Sequence, residues 1–98
     1  MINTFTIALT QINPTVGDIA TNVKLVRRAR VEAHALGCDL LMTGELVISG
    51  YPPEDLVLKS SFQNAVKQAV LALAKLTTDG GPGLLISAPW VDNAHLYN

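Results

Sequence analysis

Cysteine is nearly absent: Cys38 stands alone in the chain, so neither an internal disulfide nor a cysteine-based zinc cage can form. Charge is also scarce, at 15% of the 98 residues. The formal net charge is -1 and the pI is near 6.0, which gives no electrostatic footprint for nucleic acid or an anionic membrane surface. Of the seven basic residues only Arg27, Arg28 and Arg30 lie close together, and they read as the solvated face of a helix. No apolar run approaches the ~18 residues that a membrane span requires. The opening Met1-Ile2-Asn3-Thr4-Phe5 lacks the basic n-region of a secretory leader, so a cytoplasmic protein is expected.

What the chain has in excess is apolar surface. Hydrophobic residues make up 49%, high for a chain with so little charge to clothe it. A chain of this size buries only ~60–65% of its unfolded surface. The excess points to a slice of a larger core or to a chain that oligomerises.

Periodicity organises the chain as β-α-β-α-β-β. Phe5, Ile7 and Leu9 alternate with Thr4, Thr6, Ala8 and Thr10, the period-2 pattern of a strand. Asn13-Pro14-Thr15-Val16-Gly17 is turn chemistry, and Asp18 stands at the N-cap of a helix rather than as a ligand. From Ile19 a stripe of Val23, Val26, Ala29, Ala33 and Leu36 follows helical spacing, with Gly37 as the left-handed stop. Asp39-Leu40-Leu41-Met42-Thr43 is a short apolar run suited to a buried parallel strand. After an irregular stretch over 44–59, Ser60-Ser61 is expected to cap a second helix with the stripe Phe62, Val66, Ala69, Leu73, Leu76. Asp79-Gly80-Gly81-Pro82-Gly83 breaks the chain. Leu84-Leu85-Ile86-Ser87-Ala88 is a third strand, and His95-Leu96-Tyr97 begins a fourth. Alternating strands and helices imply a mostly parallel sheet with helices against it.

Glu45 is the position that stands out chemically. It follows the second strand directly, and ligands collect at the carboxyl ends of strands in parallel α/β sheets. A carboxylate there, walled by Leu46, Val47 and Ile48, suits a general base. On position alone a solvated loop glutamate or a helix-terminus partner is the commoner case. Cys38 belongs at the opposite end of the same strand, ~16 Å from Glu45 for five extended residues, too far for a base–nucleophile contact. It reads as structural. His34 and His95 have no ligand-spaced partner, so no metal site is expected. The glycines at 80, 81 and 83 precede a strand and lack a following Lys-Ser/Thr, so they read as a plain connector and not a phosphate cradle.

The run Glu45-Leu46-Val47-Ile48-Ser49-Gly50-Tyr51-Pro52-Pro53-Glu54-Asp55-Leu56 closely resembles the carbon–nitrogen hydrolase (nitrilase) superfamily. The Pro-Pro-Glu-Asp-Leu continuation is similar to the glutaminase domains of glutamine-dependent NAD+ synthetases. Three further stretches agree: Ile7 to Asn13 with Val16-Gly17-Asp18 and Asn22, Gly37-Cys38-Asp39-Leu40, and Leu96-Tyr97-Asn98. Gly44 departs from the pattern, standing where these proteins commonly carry Pro, and gives the following residue a freer backbone.

That resemblance implies an α/β fold, a four-layer α-β-β-α sandwich of the nitrilase type. Residues 1–98 would be the N-terminal part, roughly the first third, of the glutamine amidohydrolase domain. The rest of that domain and an ATP-dependent synthetase domain would lie beyond Asn98. It implies a Glu-Lys-Cys triad in which Glu45 is the general base, with the lysine and the nucleophilic cysteine further along. Lys59, Lys67, Lys75 and Cys38 match neither. Tyr51 resembles a residue near the glutamine entrance. Glutamine, deamido-NAD+ and ATP with Mg2+ are the implied substrates and cofactors of the complete enzyme, expected as a homo-oligomer. No cofactor is expected on these residues. The competing readings are a nitrilase-family amidase acting on a small amide and a non-catalytic docking module.

Overall fold

In a computed structural model describing residues 3–98, seven main elements follow one another: β1 (Ile7–Leu9), α1 (Ile19–Ala35), β2 (Leu40–Met42), α2 (Ser60–Leu76), β3 (Gly83–Leu85), β4 (Trp90–Asp92) and β5 (His95–Tyr97). Short 3-10 turns occupy Glu54–Leu58 and Thr77–Asp79. Met1 and Ile2, part of the segment read for a leader, lie outside the described residues.

The first three strands form a parallel sheet in the order β1-β2-β3, as the alternation of strands and helices predicts. The register places Ala8, Leu41 and Leu84 in one row. Ile7, Leu40 and Gly83 form the row before it, and Leu9, Met42 and Leu85 the row after. Successive side chains leave opposite faces of a strand, so the middle row looks one way and the other two rows look the other. Leu41 is buried and Leu84 packs on the core of Val26, Val47, Ile48, Val66 and Leu73. The two helices therefore cover the middle row's face, each fully buried aliphatic side chain contributing ~1.5–3 kcal/mol. The opposite face carries Ile7, Leu9 and Leu85, exposed at 46%, 78% and 51%.

Helix α1 begins as its sequence dictates. The Asp18 carboxylate accepts from the Thr21 backbone N–H at 3.2 Å, and Gly37 closes the end at φ +75°. The stripe stops one position early, however. The last turn ends at Ala35, so Leu36 is the C-cap residue and is exposed.

Arg30 departs from the solvated-face reading. It is buried, with 7% of its surface exposed, while Arg27 and Arg28 remain outside. Its guanidinium donates to both Asp79 oxygens at 3.0 and 2.7 Å, and its Nε donates to the Pro82 carbonyl at 2.9 Å. Two parallel N–H···O bonds satisfy the fork geometry that makes arginine, rather than lysine, suited to such a site. The Gly80-to-Gly83 connector is thus a receptor for Arg30. A side chain at Gly81 would begin 2.9 Å from Nη2 of Arg30, which accounts for glycine there.

Two further expectations are corrected. Ser60 is the first residue of α2, not its cap: Lys59 holds that position without a side-chain bond. The preceding 3-10 turn sets the entry instead, through Lys59 N–H to Leu56 O at 3.0 Å and the Gln63 amide to Val57 O at 2.6 Å. The third strand is shorter than its apolar run, and a strand unseen in the sequence, β4, pairs antiparallel with β5. Asn93 and Ala94 make the two-residue turn at φ +50° and +64°. The Lys67 ammonium sits 5.8 Å from the Trp90 ring centroid and joins this hairpin to α2.

Candidate active site

The site grows from the carboxyl end of β2. Strand pairing carries on briefly past Met42, with Thr10 N–H bonded to Met42 O at 3.0 Å and Thr43 N–H to Leu85 O at 3.2 Å. Gly44 then frees the chain from the sheet, and Glu45 follows as an exposed residue. Leu46 turns back sharply at φ +51°, a conformation that a non-glycine residue holds only when its surroundings enforce it. Here they do. Leu46 O accepts from Gly50 N–H at 2.8 Å, and residues 46 to 50 are all buried despite belonging to no helix or strand.

Leu46, Val47 and Ile48 therefore do not wall the Glu45 carboxylate as expected. Val47 and Ile48 are the inner end of the core, and Glu45 looks outward. An exposed residue joined directly to a wholly buried turn leaves its carboxylate accessible on a stiff base.

Asn22 supplies much of that stiffness. Fully buried, it donates from Nδ2 to the carbonyls of Thr15 at 2.9 Å and Ile48 at 3.0 Å, and accepts from Thr15 N–H at 2.8 Å. Gly17 N–H donates to Ser49 O at 2.9 Å. Gly50, at φ +79°, lies so close that a Cβ would sit 2.6 Å from Val16 Cα. The turn before α1 and the turn after β2 are thus clasped backbone to backbone, and Glu45 stands at the rim of the clasp.

The carboxylate has a side-chain partner, which is itself held by a second side chain. Asn98 Nδ2 donates to Glu45 Oε1 at 3.0 Å. Ser87 Oγ donates to Asn98 Oδ1 and accepts from Leu46 N–H at 3.0 Å. Sequence reading took Ser87 as a strand residue and Asn98 only as part of a family-like stretch. Nothing local marks either residue, because Ser87 lies 41 residues from Leu46 and Asn98 lies 53 from Glu45.

Tyr51 follows Gly50 on the same loop and is 64% exposed, with Glu54 and Asp55 just beyond in the 3-10 turn. Cys38 precedes β2 at the strand end away from Glu45, half-buried, its N–H bonded to Ala33 O at 3.0 Å. The structure does not bring it to the Glu45 end. His34 lies in the last turn of α1, and the His95 ring is tilted against Tyr97 at 6.3 Å. Among the described residues no three His, Cys, Asp or Glu side chains converge as metal ligands. An exposed carboxylate with one oxygen anchored is an arrangement that can take and return a proton.

The carbon–nitrogen hydrolase family profile matches residues 6–98. A glutamine-dependent NAD(+) synthetase of Rhodobacter capsulatus is 41% identical over the whole chain, which spans 18% of that relative's length. The synthetase of the same name from Synechocystis sp. is 48% identical over 72% of the chain, which covers 13% of that relative. Among solved structures, a glutamine-dependent NAD(+) synthetase from Cytophaga hutchinsonii superposes with a TM-score of 0.89 at 28% identity, over 98% of this chain and 16% of that one. An amidase from Nesterenkonia sp. gives 0.73 at 29% identity, over 87% of this chain and 32% of its own. No helix is long and apolar enough to cross a membrane among the described residues. The chain belongs to the carbon–nitrogen hydrolase family.

Proposed function

We propose that these residues form the N-terminal part of a glutamine-hydrolysing domain in a longer enzyme that makes NAD+. The carrying observation is Glu45, an exposed carboxylate anchored at the carboxyl end of a parallel strand in a chain akin to glutamine-dependent NAD(+) synthetases. In this reading Glu45 takes the proton of a cysteine thiol contributed by a later part of the domain. The thiolate attacks the glutamine side-chain amide while a lysine ammonium stabilises the tetrahedral oxyanion. Glu45 returns its proton to the departing nitrogen, the C–N bond breaks, and ammonia leaves a thioester. Water, deprotonated by Glu45, then releases glutamate. A synthetase portion uses the ammonia, with ATP and Mg2+, to amidate deamido-NAD+. None of these residues is assigned to ATP or Mg2+. Tyr51, exposed at the far end of the turn that begins at Glu45, is assigned to the glutamine entrance.

The full domain is proposed as a four-layer α-β-β-α sandwich. The exposed face of Ile7, Leu9 and Leu85 supports this, because a second sheet packed there would remove that apolar surface from water.

Glu45→Gln in the full-length enzyme is the test. It keeps size but cannot accept the proton, so glutamine-driven NAD+ synthesis should fall by ~10²–10⁴-fold. Synthesis driven by saturating ammonium should stay near wild type. Loss of both activities, or of neither, would end this reading. The likeness to an amidase favours one alternative, hydrolysis of another small amide. An enzyme that releases ammonia from such an amide, yet forms no NAD+ from deamido-NAD+ and ATP, would select it.

A further inference from the structure

The clasped turn fixes the backbone beside Glu45, but its side chain is exposed and no packed wall aims the carboxylate. We propose that Ser87 and Asn98 are positioning residues that aim it, an inference resting on the reading of Glu45 as the general base. The bonds run in one direction. Leu46 N–H can only donate, so Ser87 Oγ accepts there at 3.0 Å and turns its own proton to Asn98 Oδ1. With Oδ1 engaged as an acceptor, the Asn98 amide must present Nδ2 to Glu45, and it does so at 3.0 Å. The circuit starts on the backbone of residue 46 and ends on the side chain of residue 45. A backbone N–H of the strained turn thereby sets the orientation of an amide two links away, and that amide always offers a donor to the carboxylate. Oε1 is occupied, leaving Oε2 for proton transfer. The same circuit ties the hairpin of β4 and β5 to the end of β2, because Asn98 follows β5 directly.

The test uses the full-length enzyme and reads glutamine-driven kcat, KM for glutamine and ammonium-driven synthesis. Asn98→Ala should lower glutamine-driven kcat by ~10–100-fold, the usual effect of letting a reacting group drift by about an ångström. KM should move little, and ammonium-driven synthesis should hold. Asn98→Asp should be worse than Asn98→Ala, since it sets a carboxylate against Glu45. Ser87→Ala should fall in the same direction, and it carries the test if Asn98 variants fail to fold. In a Glu45→Gln background, Asn98→Ala should cause no additional loss, because residues acting as a unit are not additive. Wild-type kcat in both Asn98→Ala and Ser87→Ala, alongside an impaired Glu45→Gln enzyme, would overturn the positioning role and leave the base assignment standing. An equal fall in ammonium-driven synthesis would reduce the pair to structural support and also overturn it. A fully active Glu45→Gln enzyme would remove the base assignment itself.

Discussion

Arg30 in the middle of α1 and Asp79 just past α2 are joined by two hydrogen bonds of 3.0 and 2.7 Å across 49 residues of sequence. The guanidinium hydrogen bonds, followed by a bond from Gly81 N–H, hold the Asp79 carboxyl well below the usual carboxylate range. In turn the bond to Asp79 raises Arg30 above its already high value. A carboxyl depressed in the folded state binds its proton more readily when unfolded. Its contribution is therefore complete above the unfolded value of ~3.9 and fades as pH falls below it. Asp79→Asn should lower the urea midpoint at pH 7, and its gap from wild type should narrow on acidification below about pH 4. A gap independent of pH would show that the pair adds nothing through ionisation.

Asn22→Asp should be at least as damaging as Asn22→Ala. The aspartate would set an acceptor against the carbonyls of Thr15 and Ile48, both of which now receive a proton from Nδ2. Stranding a buried hydrogen-bonding group costs roughly 1–3 kcal/mol. Both variants should lose stability of that order, read from urea unfolding, and if Glu45 is the base both should slow glutamine hydrolysis by the full-length enzyme through a loosened seat.

Gly50→Ala combines a positive φ with a Cβ placed 2.6 Å from Val16 Cα and 2.7 Å from its nitrogen. The backbone alone should make this variant less stable by about 1–3 kcal/mol. Gly37, also at positive φ, has nothing within 4 Å of the equivalent Cβ, so Gly37→Ala should be the milder change. Thermal denaturation of the two side by side separates crowding from conformational strain.

The 98 residues expressed alone should show no glutaminase activity and should associate through the uncovered sheet face. Leu9 is the most exposed of its apolar side chains, at 78%. Leu9→Lys should shift size-exclusion elution toward the monomer, and glutamate release should be undetectable for either form. A monomeric parent chain would refute the claim of association.

The helices were legible because burial imposes a period on the sequence: Val26, Val66 and Leu73 fall inside where 3.6-residue spacing places them. The alternation of Phe5, Ile7 and Leu9 marked β1 as a strand, but those three side chains are exposed and it is the row of Ala8 that faces the helices. Glu45 stood out in the sequence as the first charge after an apolar strand, and its role as a base is a proposal. Arg30 did not stand out. Beside Arg27 and Arg28 it looks like any solvated cation, and only the fold brings Asp79 within reach. The β4–β5 hairpin was hidden by its turn, where Ala94 rather than glycine takes the second left-handed position. Ser87 and Asn98 escaped notice because side-chain circuits across distant segments leave no periodic trace.

The buried turn over residues 46 to 50 inverts the usual relation between regularity and tolerance. Loops ordinarily absorb insertions and deletions, but this one is clasped by Asn22, Gly17 and Val16 at spacings that one added residue would break. Insertions should be better tolerated at the exposed residues Leu58 and Lys59, where the chain runs over the surface before α2. A library of single-residue insertions scored for folding would map this as a sharp boundary at Gly50, with the irregular stretch before it as intolerant as the helices.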